Sequence, residues 1–287
     1  MHGKPFDDAT RPFIEGLLAE LKERKSEVLV SPSFCKVLSE GGLDGSQYHV
    51  VEDLTNIGDV NWVFSLGGDG TLLETVSMVG AQELPILGIN TGRLGFMATI
   101  PRDKIRESLQ SLYHDAFHID ARTLITLESD RNLFDKQNFA LNEFAVMKRD
   151  TSSMIRVKTF IDGEFLNYYW SDGVIVSTPT GSTGYSLSCG GPVVLPQSHN
   201  FVITPVCPHN LNVRPLVVSD NAIISFEIQG RGKTFLATLD SRSETIDASV
   251  QMAVRKSSFK ARLIQPDGYN FLNTLRNKLN WGLDMRN

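Results

Sequence analysis

Cysteine is scarce in this chain, and so are long apolar runs and blocks of positive charge. Cys35, Cys189 and Cys207 are the three cysteines of 287 residues. An odd number at such wide spacing excludes a disulfide framework and points to a reducing cytoplasm. No apolar stretch approaches the roughly 18 residues that a membrane-spanning helix needs, and Lys4, Asp7, Asp8 and Arg11 stand where the core of a signal peptide would lie. A cytoplasmic protein with no membrane partner is therefore expected. The formal net charge is −5 with no basic block, which argues against nucleic acid as a partner. No G-x-G-x-x-G opens a helix after a strand, so the usual dinucleotide fingerprint is missing. His114 and His118 are four apart, but the helix carrying the first is expected to end between them, and no third zinc ligand is near.

What is present fits a globular chain of one large domain or two ordinary ones, with 41% hydrophobic and 21% charged residues. A helix is expected from Thr10, with Phe13, Ile14, Leu17, Leu18 and Leu21 on one face. A short strand over 27–30, a helix over 32–40 and a strand over 61–65 follow. Next come a helix from Leu72 to Val79, a strand over 84–90 and a helix over 101–114. Strands alternating with helices predict a parallel sheet covered on both faces. After Phe117 the pattern becomes short alternating strands, at 123–127, 143–148, 155–161, 173–177, 222–228, 234–239 and 260–264. Asp162-Gly163 marks a hairpin between two strands. The expected domains are an α/β domain over 1–117, joined by the tail 266–287, and a β-rich domain over 118–265. Phe271, Leu272, Leu275 and Leu279 give the tail a helix that packs back on the first domain. A first parallel strand should precede the turn at Gly3, Lys4, Pro5 and Phe6, yet only Met1 and His2 stand there. Either the start is truncated or misassigned, or the protein manages without that strand at a cost in stability.

Two glycine-rich stretches carry the chemistry. In the first, Gly67, Gly68, Asp69, Gly70 and Thr71 join a β-prone segment to a helix. Bare glycine backbone and a helix N-terminus admit a phosphate. A carboxylate placed there implies a second task, on a hydroxyl proton or a metal. The second stretch, 171–192, runs from a short apolar strand into a turn rich in hydroxyls and glycine. Hydroxyls and free N–H groups suit a sugar, an amide or a phosphate, and Tyr185 offers a ring to a base. Asn142-Glu143 can hold a ribose diol or read a base edge, though a solvated strand end is the default for such a pair. Gly230, Arg231, Gly232, Lys233 and Thr234 imitate the end of a P-loop. Glu227 stands where the earlier glycine belongs, and a strand follows instead of a helix, so that motif is rejected.

With these motifs in place the chain resembles the NAD kinase family over nearly its whole length. The resemblance rests on 67–71, on Asn90, Thr91, Gly92, Arg93, Leu94, Gly95 and Phe96, on Asn142-Glu143, on 171–192, and on Pro208-His209. The first motif is shared with diacylglycerol, sphingosine and 6-phosphofructo-kinases, whereas 171–192 is specific to NAD kinases. The resemblance implies an α/β domain followed by a sandwich-like β domain. It implies transfer of the terminal phosphate of ATP, or of polyphosphate, to the adenosine-ribose 2′-hydroxyl of NAD, with a divalent metal, Mg or Mn. It implies a homodimer or homotetramer with NAD sites near the subunit interface. Asp69 becomes the general base, the backbone of Gly67, Gly68 and Gly70 borders phosphate, and Thr71, Asn90 and Phe96 are further binding residues. Asn142, Glu143, Thr183, Gly184, Tyr185 and Ser188 hold the dinucleotide, with Ser153 and His209 close by. Asp172 reaches an NAD molecule in a neighbouring subunit. Trp170 and Arg242 stand where many relatives carry arginine and glutamine, and Gly184 replaces a common alanine. The rival readings are a lipid kinase of the diacylglycerol type, which the 171–192 block opposes, and a non-catalytic NAD-binding sensor.

Overall fold

The structure, a computed structural model, describes residues 1–52, 60–92, 95–149 and 153–281. Arg93 and Leu94 of the 90–96 motif lie outside the described residues. The chain divides into two compact units, Met1–Asp120 with Arg262–Asn287, and Ala121–Ala261.

The first unit opens with β1 (His2–Gly3), α1 (Arg11–Glu23), β2 (Leu29–Val30), α2 (Pro32–Glu40) and β3 (His49–Val50). It continues with β4 (Val63–Gly67), α3 (Asp69–Val79), β5 (Ile86–Asn90), β6 (Ile100–Pro101) and α4 (Ile105–Tyr113). Strands β1, β4, β5 and β6 pair in parallel. The apolar faces legible in the sequence form its core: Ile14, Leu17, Leu18 and Leu21 of α1 join Phe34, Leu66, Leu87, Ile89, Leu109 and Ile264. Ser31 ends the chain's extended run and starts α2 by accepting the Phe34 N–H at 3.2 Å, the usual work of a serine cap.

The first strand is not missing. His2 and Gly3 run parallel to β4 opposite Ser65 and Leu66, and the Lys4 N–H bonds the Leu66 carbonyl at 3.2 Å. Two residues are too short for side-chain periodicity to register, but pairing uses backbone groups alone. A second difference concerns the glycine turn. Helix α3 begins at Asp69, so Gly70 and Thr71 are already helical, and only Gly68 breaks the chain between strand and helix.

The second unit is antiparallel. The chain enters it within β7 (Phe117–Ser129), continues through β8 (Phe139–Ala140), β9 (Glu143–Lys148), β10 (Ile155–Ile161), β11 (Glu164–Ser171) and β12 (Gly173–Ser177) to the short helix α5 (Tyr185–Ser188). Then follow β13 (Asn200–Val206), β14 (Leu216–Ser219), β15 (Ile224–Gln229), β16 (Phe235–Leu239), β17 (Arg242–Ile246) and β18 (Met252–Pro266). One sheet has the order β14-β13-β12-β9-β16-β17, and β15, β10 and β11 follow one another in the other. Phe144, Val146, Val174, Val176, Phe201, Phe226, Phe235 and Val254 fill the space between the sheets. Asp162 and Gly163 turn the β10–β11 hairpin with φ of 51° and 82°, the left-handed pair that a two-residue turn demands. The last helix, α6 (Phe271–Leu279), belongs to the first unit, with Leu275 buried.

Candidate active site

Asp69 lies at the carboxyl ends of β4 and β5, the end of a parallel sheet where ligands bind. Its carboxylate is held by three backbone donors from the chain beyond β5. The Phe96 N–H reaches Oδ2 at 2.7 Å, and the Met97 and Ala98 N–H groups reach Oδ1 at 3.0 and 2.9 Å. Gly95 permits the approach: a Cβ there would stand 2.0 Å from Oδ1. Asn90, buried at the end of β5, accepts the Gly92 N–H at 2.9 Å and so turns the start of the same loop.

The three motif glycines are not equivalent. A Cβ on Gly67 would lie 2.1 Å from the Thr71 hydroxyl oxygen, so Gly67 makes room for Thr71. Beside Gly68 and Gly70 the space is open within 4 Å. Those two leave backbone free for a phosphate at a helix N-terminus.

In the second unit Asn142 and Glu143 sit where β9 begins, next to the turn that follows β12. The Asn142 carbonyl accepts the Thr178 N–H at 2.8 Å, and the Thr178 hydroxyl donates to the Leu141 carbonyl at 2.5 Å. Gly181 touches the same peptide, since a Cβ there would lie 2.1 Å from the Asn142 carbonyl oxygen. Asn142 Oδ1 and Glu143 Oε2 are both buried and have no hydrogen-bond partner among the described residues. Burial, and then the Asp240 charge, pushes the Glu143 carboxyl from 4.5 up to about 8.

Gly184 lies beside this pair, the Glu143 Oε2 standing 3.2 Å from where a Cβ would be. Thr183 donates back to the Thr180 carbonyl, and Tyr185 and Ser188 project from α5 into solvent. Trp170 is half-exposed and stacks on His209, with centroids 4.6 Å apart, and the His209 N–H bonds the Trp170 carbonyl at 2.8 Å. Asp172 pairs with Lys148 at 2.6 Å. Arg242 donates to the carbonyls of Gln137 and Phe139. Ser153 stands in the loop before β10, half-buried. Asn142, Glu143, Gly184 and Tyr185 are thus gathered together, while Arg242 is turned onto the backbone.

Sequence reasoning missed Asp240. It is half-buried in the turn between β16 and β17, and its carboxylate accepts the N–H groups of Leu141, Asn142 and Glu143 at 2.9, 2.8 and 3.2 Å. An aspartate flanked by two β-prone segments is a turn signal, and its φ of 53° bears this out. Nothing in the sequence says that its carboxylate reaches back about a hundred residues. Among the described residues no three His, Cys, Asp or Glu side chains converge on a metal position.

The chain matches the family models for the ATP-NAD kinase N-terminal domain over residues 15–117 and the ATP-NAD kinase C-terminal domain over 141–266. It is 51% identical over 288 residues to an NAD kinase of Cytophaga hutchinsonii, covering 100% of this chain and 99% of that protein. Its fold is that of yeast NADH kinase, solved with NADH, at a TM-score of 0.87 and 24% identity over 99% of this chain and 87% of that one. An Archaeoglobus fulgidus NAD kinase solved with ATP gives a TM-score of 0.75 at 24% identity, over 98% of this chain and 99% of that one.

Proposed function

The chain belongs to the NAD kinase family, phosphotransferases that make NADP from NAD and ATP, and we propose that Asp69 is the general base of that transfer. The observation that carries this is the way its carboxylate is held. A carboxylate offers about four lone-pair sites. Two acceptances at Oδ1 and one at Oδ2 leave Oδ2 a lone pair. That lone pair takes the proton of the adenosine-ribose 2′-hydroxyl as its oxygen bonds to the terminal phosphorus of ATP and the bond to the ADP oxygen breaks. Gly68 and Gly70 border the phosphates, Thr71 and Asn90 shape the turn, and Phe96 supplies a donor that aims the base. Asn142 and Glu143 hold NAD, with Thr183, Gly184, Tyr185 and Ser188 along its adenosine side. Ser153, Trp170, His209 and Arg242 are assigned to further NAD contacts on the resemblance.

A divalent metal fits only in one form. With no cage of protein ligands among the described residues, and with the remaining Asp69 lone pair given to the hydroxyl proton, Mg²⁺ or Mn²⁺ would be held by the phosphates and water, a pattern that suits magnesium. When bound it supplies neutralisation of phosphate charge. Polyphosphate remains a second donor to test. The enzyme is further proposed to be a homodimer or homotetramer. Phe165, Tyr168 and Trp170 stand exposed along β11, which among the described residues has a strand on one side only, and an apolar strip on an edge strand suits a subunit contact. Asp172 follows that strand, consistent with a role toward a neighbouring NAD. A cytoplasmic location is proposed on the cysteine pattern; no helix among the described residues is long and apolar enough to cross a membrane.

Asp69→Asn tests the base. NADP formation from NAD, with ATP or polyphosphate and Mg²⁺ or Mn²⁺, should fall by about 10²- to 10⁴-fold, while NAD binding measured by calorimetry survives. Unchanged turnover removes Asp69 from the mechanism. A wild type that binds NAD but makes no NADP with any donor is a sensor, and one that phosphorylates only a lipid is a lipid kinase.

A further inference from the structure

Two carboxyl groups share the turn at Leu141, Asn142 and Glu143, and their hydrogen bonding is unequal. Asp240 takes all three N–H groups of that turn. The Glu143 side chain receives none, and its Oε2 is buried. Half of a carboxylate buried without a donor is costly, whereas the carbonyl oxygen of a neutral acid is far less so. Two neighbouring carboxyls partly withdrawn from water resist ionising together, and the last proton settles on the one that lacks donors.

We propose, on the footing that this site binds NAD, that Glu143 acts as a neutral carboxylic acid whose O–H donates to an acceptor atom of the dinucleotide. In the same arrangement Asp240 is the positioning residue that fixes the Glu143 backbone and keeps its side chain protonated. The ligand chemistry this selects is an atom that only accepts, an ether oxygen or an unprotonated ring nitrogen. An ionised Glu143 would select a ribose diol or an amino group instead.

The surrounding charges agree. Burial and then the Asp240 charge push Glu143 up, and among the described residues no donor or cation opposes them. Burial pushes Asp240 up as well, but the N–H groups of Leu141, Asn142 and Glu143 and the Arg242 guanidinium pull it back. Tyr185 on α5 and Cys189 just after it lie within electrostatic reach of Glu143. Burial is the first cause raising both, so neither brings charge to Glu143 at neutral pH. Gly184 completes the setting by leaving Oε2 its room.

Infrared difference spectra of the ligand-free protein, wild type minus Glu143→Gln, read the charge state without any turnover. The expected result is a protonated-carboxyl C=O band at pH 7 that titrates away near pH 8, with a midpoint about one unit or more lower in Asp240→Asn. In NADP formation, the wild-type KM for NAD should climb above pH 8 by about tenfold per unit. The Glu143→Gln profile, whatever its absolute level, should lack that inflection. No band at pH 7, or the same inflection in Glu143→Gln, overturns the proposal. A midpoint unmoved in Asp240→Asn overturns the part given to Asp240. Should Asp240→Asn fail to fold, the wild-type titration and the Glu143→Gln profile decide. A protein that shows the band yet makes no NADP overturns the kinase reading and upholds the charge state.

Discussion

Gly95→Ala is the sharpest test of how Asp69 is held. The added methyl would stand 2.0 Å from Asp69 Oδ1, 2.4 Å from its Cγ and 2.6 Å from Oδ2. None of these distances is tolerable for a real Cβ, so the carboxylate must leave its three donors or the loop must move. Either way the Phe96, Met97 and Ala98 N–H groups lose their acceptor. Buried donors left unsatisfied cost about 1–3 kcal/mol each; with partial recapture by water the expected loss is about 2–4 kcal/mol. A base displaced by about 1 Å costs about a hundredfold in rate. The kcat of NADP formation should therefore drop by about two orders of magnitude, with the apparent affinity for NAD little changed. Gly92→Ala, in the same loop, is the control, because nothing lies within 4 Å of a Cβ there. It should stay within about 0.5 kcal/mol and near wild-type turnover. Steady-state kinetics and denaturant melts read both. Wild-type kcat in Gly95→Ala would refute the argument that the donor cluster aims the base.

Other consequences can be measured the same way. Gly181→Ala should raise KM for NAD and destabilise the second unit by about 3 kcal/mol, since the methyl meets the rigid Asn142 peptide at 2.1–2.7 Å. Gly190, left-handed at φ 82° with open space, should cost only about 1 kcal/mol when changed to alanine. Glu143→Gln should stabilise the protein increasingly as pH rises. The folded carboxyl titrates near 8 and the unfolded one near 4.5, so between those values the folded state binds the extra proton. Wild-type stability then falls by up to about 1.4 kcal/mol per unit, and melts at pH 5 and pH 8 should diverge in favour of the glutamine variant. Phe165→Glu, on the exposed aromatic strip, should move the assembly toward monomers in light scattering; an unchanged mass would place the contact elsewhere.

Much of this architecture could be read from residue order because the signals are local. The α1 face and the Asp162-Gly163 turn each rest on side chains within a few residues of one another. The strands Glu143–Lys148, Ile155–Ile161 and Gly173–Ser177 were legible for the same reason. What escaped was either too short to have a period, as at His2–Gly3, or too exposed to be apolar, as at Arg242–Ile246. Long-range capture also escaped. That Asp69 takes its donors from Phe96, Met97 and Ala98, and that Asp240 takes its own from Leu141, Asn142 and Glu143, follows from how strands are laid side by side. No spacing rule expresses it. The glycines illustrate the division: their number was visible, but which of them make room for a neighbour and which leave backbone bare was not.

Gly67 and Thr71 show what that means for change over generations. The Thr71 hydroxyl and methine fill the very volume that a side chain on residue 67 would need. These two positions are one steric decision written at two places. A chain that accepts alanine at 67 must first surrender the threonine, and with it the packing at the foot of α3. The constraint has an order: position 67 can gain a side chain only after Thr71 has changed, so a path between variants at this turn runs through 71 before 67.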